Sequence, residues 1–127
     1  MVVIRPEGQN MGAAHIETHL NLAAIIGEVA RDATCTETED GRTFTNFDLV
    51  CRTEEGRTVV PVTVEGNEAV SAGEVVAVAG HVSKRFFSTG RGMASRTDVR
   101  ADKVVVIRRK DQITRFVAGV MKGLGSR

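Results

Sequence analysis

The feature that most narrows the possible folds is a pair of alternating segments separated by a glycine turn. In TFTNFDLVCR, residues 43–52, Thr45, Phe47, Leu49 and Cys51 fall on one side of an extended chain and Asn46, Asp48, Val50 and Arg52 on the other. Residues 57–66, RTVVPVTVEG, repeat the pattern with Val60, Val62 and Val64 on one face. Glu54-Glu55-Gly56 between them and Glu39-Asp40-Gly41-Arg42 before them are turn sequences. A period of two bounded by turns describes half-buried strands.

The flanking segments extend the sheet. NLAAIIGEVARDATCTET, residues 21–38, is apolar and β-tolerant, with Gly27 marking a bulge or sharp bend. Pro61 cannot donate to a ladder, so its strand lies at an edge or holds the missing donor at a non-pairing position. NEAVSAG, residues 67–73, fits a short helix or helical turn ended by Gly73. EVVAVAGHVSKRFF, residues 74–87, is a fourth strand and STGRGMAS, residues 88–95, a hairpin tip. RTDVRADKVVVIRR, residues 96–109, is a fifth, with Val99, Ala101, Lys103 and Val105 on one face and Arg100, Asp102, Val104 and Val106 on the other. The period then changes: Ile113, Phe116, Val117, Val120, Met121 and Leu124 describe an amphipathic helix of about three turns, ended by Gly123 and Gly125. That helix either caps the barrel of its own subunit or docks on another chain.

The prediction is an all-β chain with minor α, in which residues 1–18 form an irregular arm, 19–109 the strand domain, and 110–127 a helix and short tail. A length of 127 residues suits one compact domain, and 42% apolar with 26% charged residues exclude a disordered or membrane-embedded chain. No apolar stretch is long enough to span a bilayer and the first residues lack a secretory pattern, so cytoplasmic residence is expected. Cys35 and Cys51 are too few for a disulfide framework and too far apart for a zinc site, and read as buried thiols. A two-residue turn at Asp40-Gly41 would set Cys35 opposite Asn46 and Cys51 opposite Ala30, so the sulfurs do not meet. His15, Glu17 and His19 lack a further ligand at a recognisable spacing. No nucleophile elbow, phosphate loop or paired-carboxylate motif stands out, so no metal, cofactor or enzyme activity is expected.

Net charge is only +1, yet it is unevenly placed. Residues 1–80 carry five Arg against thirteen Asp or Glu, whereas residues 81–110 carry nine Lys or Arg against Asp98 and Asp102 alone. A basic segment on an acidic body is the footprint of a phosphate-binding surface.

Five short strands with a helical element between the third and fourth make the oligonucleotide-binding (OB) barrel, a partly open barrel with a binding face. NLAAIIGEVARD resembles the opening strand of bacterial single-stranded DNA-binding proteins, where an Asn begins an apolar run, a Gly interrupts it and an Asp follows. Thr45-Asn46-Phe47-Asp48-Leu49 is similar to their second strand. Gly73-Glu74-Val75-Val76-Ala77-Val78-Ala79-Gly80-His81-Val82 is similar to their Gly-bounded apolar strand. Val60-Pro61-Val62-Thr63-Val64-Glu65-Gly66 looks more like the primosomal replication protein N (PriB) branch, short dimeric relatives that bind single strands. The resemblance covers roughly residues 20–107. It implies single-stranded DNA binding without sequence preference in replication, repair or recombination, a homo-oligomer (dimer or tetramer), and replication or primosome proteins as partners. Two departures stand out: the chain ends GLGSR where full-length relatives carry an acidic tip that recruits partners, and it has five Phe but no Trp or Tyr. Less extensive stacking is expected.

Binding a single strand needs cations along the phosphates and flat apolar faces for the bases. Lys84-Arg85-Phe86-Phe87 supplies both, and Arg91, Arg96 and Arg100 follow on the hairpin tip and the returning strand. Alternation buries at least one of Phe86 and Phe87, while the basic residues either bind phosphates or form a solvated face. Arg52 and Arg57 flank the second turn within reach of a backbone phosphate, beside Glu54 and Glu55. Phe44 stacks at the mouth of the first hairpin or packs across strands. Two other readings stay open: an OB assembly module with weak or no DNA binding, and an RNA binder, since a basic face does not distinguish the sugar.

Overall fold

The computed structural model describes residues 19–125. The predicted arm and the histidine–glutamate set, apart from His19, lie outside them. Among the described residues six strands precede one helix: β1 (Ala23–Val29), β2 (Thr34–Glu37), β3 (Thr43–Thr53), β4 (Gly56–Glu65), β5 (Val75–Thr89), β6 (Gly92–Val106) and α1 (Lys110–Gly125). β1 pairs antiparallel with β5 and, at Glu28 and Val29, with β3. β3 pairs with β4 and β5 with β6, both antiparallel, and β4 meets β6 in parallel over Val62–Val64 and Val99–Ala101. The ring β1-β5-β6-β4-β3 closes on itself, giving a five-stranded OB barrel with β2 running on along β3.

Inward positions follow the predicted alternation. Thr45, Phe47 and Leu49 of β3 and Val62 and Val64 of β4 are buried, and Val29, Val70, Val76, Val78 and Val99 complete the core. Pro61 precedes the stretch of β4 that pairs with β6, so its missing donor falls outside that parallel ladder.

Several expectations need correction. The first strand is broken after Val29: the Ala30 amide still donates to the Asp48 carbonyl of β3 in the same register, but the Ala33 amide turns to the Val70 carbonyl. Across this break the pairing slips by two residues, from Glu28↔Val50 to Thr34↔Asn46.

The turn at Asp40-Gly41 is longer than two residues. Glu37 pairs with Thr43 and Cys35 with Thr45 rather than Asn46. Cys51 abuts Gly27 instead of Ala30; a Cβ on Gly27 would lie 3.0 Å from its Sγ and 2.7 Å from the Val50 carbonyl oxygen. Neither thiol is fully buried, Cys35 being exposed and Cys51 half-buried.

No helix forms over 67–73. The Glu68 amide donates to Thr45 Oγ1, the Ala72 amide to Asp32 Oδ1 and the Gly73 amide to the Val29 carbonyl, while Val70 inserts into the core. These external partners replace the bonds a helical turn would make.

The face assignment along the fifth strand changes midway. Ala79 pairs with Lys103 but Gly80 with Ala101, so Asp102 bulges out, and Val104 and Val106 pack against the same core as Val99 and Ala101. The tip is also shorter than expected: β5 and β6 run to Thr89↔Gly92, leaving a two-residue turn with Gly92 at positive φ.

Phe116 is only 3% exposed, so α1 packs on its own barrel, leaving Val117 and Met121 outward. The Gln112 side chain accepts the amides of Arg108 and Arg109 at the helix start. Among the described residues no helix is long and apolar enough to cross a membrane.

Candidate nucleic-acid interface

Past the bulge, β5 and β6 leave the barrel as a two-stranded ribbon whose faces are set by alternation. Val82 pairs with Val99, which points into the core, so Val82, Lys84 and Phe86 continue the inner face. Ser83, Arg85 and Phe87, opposite Asp98, Arg96 and Ala94, continue the outer one. On that outer face lie Arg100, its parallel neighbour Thr63, and Phe44, Asn46 and Asp48 of β3, with Thr36 and Thr34 of β2 opposite Phe44 and Asn46. The β2–β3 hairpin and the ribbon wall this surface into a groove of about 970 Å³.

The floor of the groove is a polar chain. Asn46 Nδ2 donates to Thr36 Oγ1 at 3.0 Å, and Thr63 Oγ1 lies 3.0 Å from Asn46 Oδ1 and 2.7 Å from Asp98 Oδ2. A hydroxyl has one proton, which the carboxylate takes at the shorter distance. Arg85 adds a second donor to Asp98 Oδ2 at 3.1 Å. The Asp98 side chain is wholly buried, but its Oδ1 has no hydrogen-bond partner; Arg100 Nε, equally unpartnered, stands 4.0 Å away. A buried oxygen left so costs about 1–3 kcal/mol.

Above this floor the half-buried Phe44 ring has two guanidinium neighbours, Arg42 at 5.1 Å and Arg100 at 5.4 Å from its centroid. Arg42 is also forked onto Glu65 at 3.0 and 3.3 Å, which holds the Glu65 carboxyl below its ordinary range and raises the guanidinium. At the rim the Thr38 hydroxyl donates to Asp40 and lowers its carboxyl likewise. Charge in the groove is therefore mixed: Arg31, Arg42, Arg85, Arg96 and Arg100 face Asp32, Glu39, Asp40 and Asp48.

Of the sequence-predicted residues, Phe44, Arg85, Arg96 and Arg100 line the groove together. Phe87 shares their face further out. Lys84 and Phe86 lie on the reverse face, where the ammonium sits 5.5 Å from the ring centroid. Arg91 is in the ribbon turn. Arg52 and Arg57 pair with each other across the β3–β4 hairpin, outside the groove lining, and Arg52 lies 3.5 Å from Glu28. The expectation that one phenylalanine of the pair is buried fails: Phe86 is 66% and Phe87 47% exposed, because the ribbon has no second layer over it. Arg31, Arg42, Thr63 and Asp98 escaped sequence reasoning. The signals were faint: Arg42 stands two residues from Phe44, and Asp98 interrupts a basic segment.

No protein-family model matches the chain, and no curated protein matches it. Among solved structures, the Plasmodium falciparum SSB in complex with ssDNA superposes with a TM-score of 0.61 at 16% identity, over 72% of this chain and 98% of that one. The likeness is one of fold.

Proposed function

We propose that this chain is a single-stranded nucleic-acid-binding protein, with DNA as its ligand, that acts by binding and not by catalysis. The observation that carries the reading is the groove on the outer barrel face, where Arg42 and Arg100 flank the Phe44 ring and Arg85 and Arg96 line the same groove. Guanidinium groups pair with phosphates and an aromatic face stacks with any base, so the pairing of the two is tolerant of sequence. The fold-level likeness to a protein solved with ssDNA supports single-strand binding as the reading. Work in replication, repair or recombination and a homo-oligomeric state extend the resemblance of residues 20–107; likeness to the primosomal replication protein N branch rests on Val60–Gly66 alone.

A second reading, an assembly module, draws on the exposed Val82, Phe86 and Met93 of the ribbon and Val117 and Met121 of α1. One titration separates them. Fluorescence anisotropy with labelled single-stranded DNA, single-stranded RNA and duplex, at low and moderate salt, is expected to give single-strand preference. With the mixed groove charge, roughly three to four phosphate contacts predict a log–log salt slope of about −2 to −3. Folded protein that binds no oligonucleotide at low salt overturns the proposal in favour of assembly; RNA preferred over DNA reassigns the ligand.

A further inference from the structure

We infer that Phe44 is a stacking platform occupied in the free protein by Arg100, and that buried Asp98 is the positioning residue that receives Arg100 when a base takes its place. This rests on the reading of the groove as a single-strand site and adds how the site is held ready.

Three observations define the device. Arg100 lies over the Phe44 ring, 5.4 Å from its centroid. Its Nε has no hydrogen-bond partner, nor has Asp98 Oδ1, 4.0 Å distant in a wholly buried side chain. The other oxygen, Oδ2, is served by Thr63 and Arg85. A movement of about 1 Å would bring Nε to hydrogen-bonding distance of Oδ1. Arg100 thus sits between two attractions, the ring and a long ion pair to Asp98, and in the free state its hydrogen bond to Oδ1 is not made. Arg42, the ring's other cationic neighbour, is already committed to Glu65 by two hydrogen bonds and has no comparable place to go.

A base stacking on Phe44 displaces Arg100 from the ring, and the displaced group satisfies the orphaned carboxylate oxygen. Stacking and closure of the Arg100–Asp98 hydrogen bond are then coupled, each favouring the other. Asp98 consequently supports the binding of a polyanion although it is itself negative and does not touch the ligand. Simple electrostatics gives the opposite sign, since removing a negative charge from the groove should tighten binding.

The test is a double-mutant cycle on oligothymidylate binding with wild type, Asp98→Asn, Phe44→Ala and the double variant. Asp98→Asn is expected to weaken binding roughly five- to tenfold in the presence of Phe44 and to have almost no effect in the Phe44→Ala background. An equal loss in both backgrounds, as a merely structural role would produce, overturns the inference, as does unchanged or tighter binding. In case Asp98→Asn does not fold, nitrogen-15 spectra of the wild-type arginine Nε–H groups, with Arg100 assigned by Arg100→Lys, provide a second readout. Saturating oligothymidylate should shift the Arg100 signal and protect it from solvent exchange; an unmoved signal on a bound protein refutes the device. Wild type that binds no oligonucleotide refutes the groove reading itself and this inference with it.

Discussion

Gly80 lies directly beneath the carbonyl of Arg100: a Cβ on Gly80 would stand 1.9 Å from that oxygen. The contact lies at the bulge where β6 changes register, so the same glycine lets the barrel close and sets the backbone that carries Arg100. Gly80→Ala should cost roughly 3 kcal/mol or more, read as a fall in the urea midpoint. Gly90→Ala, with nothing within 4 Å and an ordinary φ, is the control and should change stability by less than about 0.5 kcal/mol.

The outer and inner faces of the sheet predict opposite outcomes. Phe44→Ala should lose roughly 1–3 kcal/mol of single-strand binding, the worth of one stacked base. Phe86→Ala, on the reverse face beside Lys84, should leave affinity within about twofold. Anisotropy titrations of both variants decide which face holds the strand; a larger loss at Phe86 would place it on the inner one.

Packing of α1 on its own barrel separates core from surface along one helix. Phe116→Ala should destabilise the protein by about 3 kcal/mol, since the ring is only 3% exposed. Val117→Asp, on the 48% exposed flank, should leave the thermal midpoint almost unchanged. A smaller species for Val117→Asp by light scattering would instead identify that flank as an interface between subunits.

Asp111, exposed in the first turn of α1, is bonded by Arg109 and Arg115, and these guanidinium groups hold its carboxyl below the ordinary aspartate range. A carboxyl with a depressed folded pKa adds stability above its unfolded value and loses it as pH falls through the folded one. Asp111→Asn should therefore lower the thermal midpoint slightly near pH 7, and wild type and variant should coincide near about pH 2. A difference that persists in acid would assign the effect to side-chain packing.

The cysteines should differ in reactivity. Burial pushes the Cys51 thiol up, and its sulfur sits against Gly27, while Cys35 is exposed on β2. Iodoacetamide followed by peptide mapping should label Cys35 first in native protein and both cysteines only after unfolding. Early labelling of Cys51 would show that β1 opens from β3.

Local pattern alone was enough for the strands with one wet face. In β3 and β4 the alternation of Thr45, Phe47, Leu49 and of Val62, Val64 directly records which side meets the core. The terminal helix was legible for the same reason, its apolar residues recurring at three and four. Arg85, Arg96, Arg100 and Phe44 could be picked out as candidates because the chain has only five aromatic residues and its basic residues cluster in 81–110, and the fold brings these four to one groove.

What the sequence could not determine were the relationships made between distant segments. The break after Val29 and the non-helical 67–73 loop depend on bonds from one to the other and to β3, which outcompete local propensity. The inner and outer faces of β6 exchange at Asp102 because Gly80 admits the Arg100 carbonyl, a contact between residues on neighbouring strands that no alternation reveals. Asp98 read as a lone acid in a basic run, and only barrel closure buries it beneath Arg85, Thr63 and Arg100. A sequence of 127 residues thus determined the alternation, the turns and the supply of cations and rings by itself. Register, burial and pairing between strands were decided by the tertiary structure, since each is an energy shared by residues far apart in the chain.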